Sequence, residues 1–273
     1  MAFDLTVYLE RIGLPACRPD LKGLEALQRA QMSSIPFEDI EPFLGQVPDL
    51  SPESIWTKLV LQQRGGYCFE LNHLLGQALE SIGFKARPIL ARVRMGADVG
   101  GIRAHLAWIV TLDGRDWLVD AGFGGPGPYG ILALSDQQPQ TLPNGTFRFR
   151  EDQTTRETVV ERQSPSGWFS LFGFDETPFT PADIEGANFL CTRSPVQPFS
   201  ANLMMSMHHS DGYVSVMNRS VKVDGPSLTR SWRVNSPADL KKVVVELLGM
   251  KYDEATLEKI WARLASDPAK VAA

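Results

Sequence analysis

Cysteine is scarce in this chain. Three stand in 273 residues, odd in number and far apart, which argues against a disulfide framework and fits a reducing compartment where thiols stay free. A basic excess is missing too: the formal net charge is -5 and no run of Lys and Arg occurs, so no nucleic-acid partner is expected. No apolar stretch reaches the roughly 18 residues of a membrane span, so no membrane association is expected either. The start, MAFDLTVYLERIGLP, has acidic residues and helical spacing and lacks the basic-then-apolar pattern of a signal peptide. The expected location is cytoplasmic. Internal repeats and low-complexity tracts are also lacking.

What is there is ordinary globular composition, 43% hydrophobic and 22% charged. A prior of roughly 150 residues per domain gives two domains with room for a third small unit. The first third reads as helical. Phe3, Val7, Tyr8 and Ile12 share a face; a second run covers Leu21 to Gln31; Ser51-Pro52-Glu53 opens a third as cap and first turn. After Cys68, Leu71, Leu74, Leu75, Ala78, Leu79 and Ile82 repeat at helical spacing until Gly83. From Lys85 the period falls to two: ARPILARVRM, HLAWIVTL, DWLVDAGF, TFRFRED and RETVVERQ are short and β-branched or aromatic. They predict a small antiparallel barrel through about Phe174, with Asp113-Gly114 as a tight hairpin turn. DETPFTPADIEGAN is Pro- and acid-rich and reads as a connector. Strands at Tyr213–Met217 and Val221–Val223 and two C-terminal helices complete the chain.

Cys68 needs an explanation, because it stands between Gly65-Gly66 and a long amphipathic helix. A helix N-terminus favours negative charge, and a cysteine is a nucleophile only as thiolate. A small buried apolar residue is the plainer alternative. A base has to be found among four histidines. His73 lies on the same helix, over a turn away, and fits packing or solvent. His208 and His209 stand in a Met-rich, loop-like stretch, and neither Cys17 nor Cys191 comes with ligand spacing, so no metal is expected. His105 opens a predicted strand, on one face with Ala107 and Ile109, an odd place unless paired. Asp120 ends the next strand, directly before a glycine-rich loop. Pairing Leu112 with Arg115 brings Asp120 close to Ala107, one same-face step from His105. Cysteine on a helix mouth, histidine on a strand and aspartate beside it form the set of a thiol nucleophile, its base and an orienting acid.

RGGYCFELN, at Arg64 to Asn72, resembles the active-site signature of the arylamine N-acetyltransferases. IPFEDIEPFLG is similar to that family's IPFEN segment, with Asp39 where asparagine is usual; AHLAWIV and WLVDAGFG resemble the segments carrying its histidine and aspartate. The resemblance runs over essentially the whole chain. It implies an α+β fold: a helical N-terminal domain (1–84) carrying the nucleophile, a central antiparallel β-barrel (85–190) carrying His and Asp, and a C-terminal α/β lid (191–273), around a papain-like Cys-His-Asp core.

The activity implied is ping-pong acetyl transfer from acetyl-CoA, a co-substrate, to aromatic amines, hydrazines or N-hydroxyarylamines through acetyl-Cys68. The resemblance makes Cys68, His105 and Asp120 the triad, with the thiol pKa lowered to roughly 3.5–7.5 by an ion pair with His105. The backbone N–H of Cys68 is one expected oxyanion donor. Phe37, Phe123 and Phe199 are implied for the acceptor pocket, each with core packing as its alternative. In GFGGPGPYG, Gly124, Gly125 and Gly127 could approach CoA phosphates with their backbone N–H groups. Arg64 is expected to pair with a carboxylate such as Glu38, and Glu70 to cap or pair. A monomer or homodimer is expected. Three rivals stay open: a thiol hydrolase with the same triad, an amide synthase closing a macrocycle, and a binding module with a vestigial triad.

Overall fold

The computed structural model describes residues 3–136, 138–209, 212–225 and 229–266. Helices build its first part: α1 (Leu5–Arg11), α2 (Leu21–Ser34), α3 (Ile40–Phe43), α4 (Pro52–Trp56, continued by a π-helical turn at Thr57–Leu61) and α5 (Cys68–Ile82). The local signals are those the chain advertises. Ser51 accepts from the Ser54 N–H and Pro52 fills the first turn. Gly83 ends α5 in the left-handed region, at φ 96°, where a side chain would be strained. Leu24, Leu27, Leu71, Leu74, Leu75, Ala78 and Leu79 pack into one core with Ile55, Trp56 and Leu59.

Eight antiparallel strands follow: β2 (Lys85–Val93), β3 (Arg103–Leu112), β4 (Arg115–Val119), β5 (Leu132–Ala133), β6 (Gln140–Leu142), β7 (Gly145–Asp152), β8 (Glu157–Ser164) and β9 (Gly167–Phe174). Their order is β5-β4-β3-β2-β9-β8-β7-β6. The Gln140 side chain stitches the two edge strands, accepting from Ala133 N–H at 2.8 Å and donating to its carbonyl at 2.9 Å. This nearly closes a barrel around Ile89, Ala107, Ile109, Leu118, Phe147, Val160 and Phe172. The β3–β4 hairpin turns on Asp113 and Gly114, both at positive φ (49° and 74°), and pairs Leu112 with Arg115 and Trp108 with Val119 as the turn chemistry requires.

The second sheet is ordered β1-β10-β11-β12-β13, and its first strand, β1 (Phe37–Glu38), comes from the helical part. β1 pairs with β10 (Met204–His209); β11 (Gly212–Met217), β12 (Ser220–Asp224) and β13 (Thr229–Arg233) complete it. Two further helical runs, α7 (Pro237–Lys241, continued by a π-helical turn at Lys242–Leu247) and α8 (Glu254–Ser266), cover one face through Leu240, Val244, Leu257 and Ile260.

Two expectations are corrected. The connector at DETPFTPADIEGAN is in its second half a helix, α6 (Pro181–Arg193). Thr180 and Asp183 cap it reciprocally with Pro181 in the first turn, so the proline and acids of the expected connector start a helix. The Met-rich stretch around His208 is strand β10, in which Met205 and Met207 are core residues.

Candidate active site

The turn Arg64–Gly66 lies against the Pro36–Glu38 segment: Gly66 N–H donates to the Pro36 carbonyl and Glu38 N–H to the Gly66 carbonyl. Cys68 then stands as the first residue of α5, with Tyr67 as its cap. Glu70 reaches back to accept the Tyr67 N–H at 3.1 Å. The same carboxylate is 2.7 Å from Lys58 Nζ, which also meets Glu41 at 3.1 Å and Glu38 at 3.7 Å. Burial pushes the Glu70 carboxyl up to about 7, against the pull of Lys58. Arg64 pairs with a carboxylate as expected, but with Glu41 at 2.8 Å; Glu38 instead meets Lys58, the Tyr252 hydroxyl and the Ile40 N–H.

Cys68 Sγ lies against β3 on both sides of His105. It donates to the Ala104 carbonyl at 3.5 Å, and the Leu106 N–H is near enough to favour the anion. His105 Nε2 is 2.7 Å from Asp120 Oδ2. An ionised carboxylate only accepts, so Nε2 carries a proton toward it and Nδ1 is the ring nitrogen left to exchange one. Asp120 sits one residue beyond β4, where the hairpin register delivers it. Its Oδ1 accepts from Asn72 Nδ2 at 2.9 Å and from Gly122 N–H at 2.8 Å, and its own N–H donates to Gln28 Oε1 at 3.1 Å. Burial opposes the charge, but His105 beside it, with the Asn72 and Gly122 bonds, holds the carboxyl below its ordinary range.

The sulfur differs from expectation. Burial, with Cys191 and Asp120 nearby, pushes the Cys68 thiol well above its ordinary value; the N–H groups of Phe69 and Leu106 pull the other way and lose. The ordinary helix-mouth argument holds for a partly wet thiol. This one is 4% exposed, so burial opposes the charge that the helix mouth favours.

Asn72 and Gln28 went unnoticed in the sequence. Asn72 was legible, four residues after Cys68 and so on the same helix face. It donates to the Leu106 carbonyl as well as to Asp120, and accepts the Ala121 N–H. Gln28 is non-local to Asp120, and its one local sign is a polar residue on the buried face of α2.

Of the three phenylalanines, Phe123 touches the pair and the other two border the cluster around it. Phe123 stands edge-on to the His105 ring at 5.0 Å. Phe199 packs on Tyr67 at 5.7 Å, and both Phe37 and Phe199 border the cluster that holds Cys68. The loop after Asp120 crosses the start of α5 closely: a Cβ on Gly122 would stand 2.6 Å from Asn72 Nδ2 and 2.9 Å from Cys68 Cα, which only glycine avoids. Gly124 lies against Phe37, and Gly127 N–H closes a turn on the Gly124 carbonyl at 2.9 Å. Gly125 lines a cavity of about 390 Å³ with Tyr129, Arg162, His208, Tyr213 and Lys222. There His208 is stacked on Tyr129 at 5.0 Å, and its buried Nε2 has no partner among the described residues. Among those residues no group of His, Cys, Asp and Glu is arranged to hold a metal ion.

A family model described as N-acetyltransferase matches residues 20–257. The arylamine N-acetyltransferase of Mycolicibacterium smegmatis is 34% identical over 275 aligned positions, covering 97% of this chain and 98% of that one. The structure of the Salmonella typhimurium arylamine N-acetyltransferase superposes with a TM-score of 0.89 at 26% identity, covering 96% of this chain and 99% of the other. The Mycobacterium marinum arylamine N-acetyltransferase in complex with CoA gives 0.86 at 28% identity, covering 94% and 98%.

Proposed function

Since the chain belongs to the arylamine N-acetyltransferase family, we propose that it moves an acetyl group from acetyl-CoA to an arylamine, arylhydrazine or N-hydroxyarylamine in two half-reactions through acetyl-Cys68. Cys68 passes its proton to His105 Nδ1, and the thiolate adds to the thioester carbonyl. The tetrahedral adduct collapses, the bond to the CoA sulfur breaks, and CoA leaves with the proton from the imidazolium. The amine then adds to the acetyl-thioester and gives its proton to His105, and the Cys68 thiolate departs to recover it. Asp120 does not move; it offsets the imidazolium formed at each step.

The observation that carries this reading is the 2.7 Å His105–Asp120 pair set beside a sulfur lodged between Ala104 and Leu106. Transfer of the proton creates a buried ion pair, and its cost is reduced because Asp120 already faces the ring and the N–H groups of Phe69 and Leu106 already face the sulfur. The backbone N–H of Cys68 is assigned to the oxyanion. Phe123, Phe37 and Phe199 form the apolar wall for a flat amine. Gly124, Gly125 and Gly127 form the loop toward CoA; the cavity at Gly125, with Arg162 and Lys222, has the charge for its phosphates. In this division residues 1–84 bring the nucleophile, 85–190 the histidine and aspartate, and 191–273 the lid. Among the described residues no helix is long and apolar enough to cross a membrane, and the three free cysteines fit the cytoplasm.

The test uses radiolabelled acetyl-CoA without amine. One equivalent of CoA is expected to be released and the label to sit on Cys68 until aniline removes it, with Cys68→Ser taking up none. CoA release only when amine is present, or discharge of the label by water as fast as by aniline, overturns the proposal.

A further inference from the structure

One side chain outside the triad touches both ends of the glycine loop. Gln28, in the middle of α2, is fully buried. Its Oε1 accepts the Asp120 N–H at 3.1 Å, while its Nε2 donates to the carbonyls of Pro128 at 3.2 Å and Gly130 at 3.0 Å. Between those anchors run Gly122 on the start of α5, Phe123 on the His105 ring, and Gly125 on the cavity wall. A second contact from the same helix lies beside it: Ser33 Oγ and the Tyr129 hydroxyl are 2.6 Å apart. Asn72 holds the Asp120 carboxylate and the Ala121 N–H, so carboxylate and loop have separate tethers.

We infer that Gln28 is a positioning residue: by clamping Asp120 to Pro128 and Gly130 it sets the span of the loop, and through the loop the seats of acetyl-CoA and Phe123. This rests on the assignment of that loop to CoA. A backbone loop keeps one shape only while its ends are held, and an amide is the neutral side chain that accepts at one end while donating twice at the other. Met cannot do either. Glu keeps the acceptor for the Asp120 N–H, but a carboxylate turns a second acceptor on the Pro128 and Gly130 carbonyls, which repels them; protonated, it regains one donor.

Gln28→Glu and Gln28→Met separate the two ends. Steady-state constants are measured with acetyl-CoA and aniline from pH 6 to 8.5, with circular dichroism to confirm folding. For Gln28→Glu at pH 8.5 the KM for acetyl-CoA is expected to rise about tenfold with kcat within about twofold, returning toward wild type at pH 6. Gln28→Met is expected to raise KM and lower kcat at every pH. A purely structural glutamine would change melting temperature and leave the KM of Gln28→Glu flat with pH; that result overturns the inference. Should Gln28→Met not fold, Gln28→Glu decides alone, being isosteric and neutral at the acid end. The KM for acetyl-CoA is defined whether or not acetyl-Cys68 accumulates. A missing acetyl-enzyme therefore sinks the two-step reading without touching Gln28, and unchanged constants in Gln28→Glu do the reverse.

Discussion

Asp120 and Asp39 are both wholly buried carboxylates at seams of the molecule, and they titrate in opposite directions. Asp120 lies where α2 and α5 meet the barrel, with His105, Asn72 and Gly122 all donating to it, and it is held ionised. Asp39 lies between β1 and α3 against the second sheet. Its Oδ1 accepts the Met204 N–H at 2.8 Å, and its Oδ2 has no partner among the described residues. Burial, with the Glu38 charge next to it, pushes this carboxyl well above its usual range in spite of that bond. Burial is common to both and decides neither; the count and charge of donors decides. Three donors around one aspartate make a site that can stabilise an imidazolium, whereas one donor makes a seam residue.

The largest effect expected comes from breaking the ionised member. Asp120→Asn removes the charge facing the His105 ring and sets an amide N–H among donors, so kcat/KM should fall about 10³- to 10⁴-fold. Removing one partner of a buried pair should also cost about 3–5 kcal/mol of stability. Steady-state kinetics and thermal melts check both. A variant retaining more than a tenth of the wild-type rate would reduce Asp120 to a turn residue.

Asp39→Asn should act with the opposite sign. A group whose folded pKa is raised contributes most below its unfolded value near 3.9, and that contribution is lost as pH rises toward the folded one. Across that window each pH unit costs the native protein about 1.4 kcal/mol relative to the asparagine variant. The variant should therefore gain on wild type in melting temperature as pH rises above the ordinary carboxylate value, with activity unchanged within about twofold. Asp120 gives the mirror image: its depressed pKa adds stability above the ordinary carboxylate range, lost as pH falls through the folded value. A melting-temperature difference between Asp39→Asn and wild type that is constant with pH would contradict the raised carboxyl.

How much of this contrast was legible depended on distance along the chain. The nucleophile helix, its glycine end, the Asp113-Gly114 turn and the approach of Asp120 to His105 all follow from local periods and one hairpin register, and the structure keeps them. Donor counts did not follow, because Gln28 and Met204 come from segments 92 and 165 residues away from the aspartates they bond. The burial of the thiol did not follow either, for the same reason. Its helix position is local, but its dryness is set by β3 and by the cluster of Ile184, Ala187 and Cys191 on α6, a helix the proline-rich composition concealed.

Glu70 lies between the two aspartates and should give the smallest response. It is as buried as they are, but it has one cation, Lys58 at 2.7 Å, and one backbone donor, the Tyr67 N–H. Burial therefore wins only in part and leaves it at about 7. Above that pH the carboxylate is charged, and Glu70→Gln spares its desolvation while leaving Lys58 to Glu38 and Glu41. These changes oppose each other, and Lys58 is not left as a lone buried charge, so stability at pH 8 should move by less than about 1 kcal/mol. The glutamine Oε1 still accepts the Tyr67 N–H, so the start of α5 and the seat of Cys68 should hold, with kcat within about twofold. Below pH 7 the two proteins should converge further, since wild-type Glu70 is then itself neutral. Melts at pH 6 and pH 8 with parallel assays check this. A loss beyond about 3 kcal/mol at pH 8 would mean that donors and cation outweigh burial here too, placing Glu70 beside Asp120 and breaking the ordering by donor count.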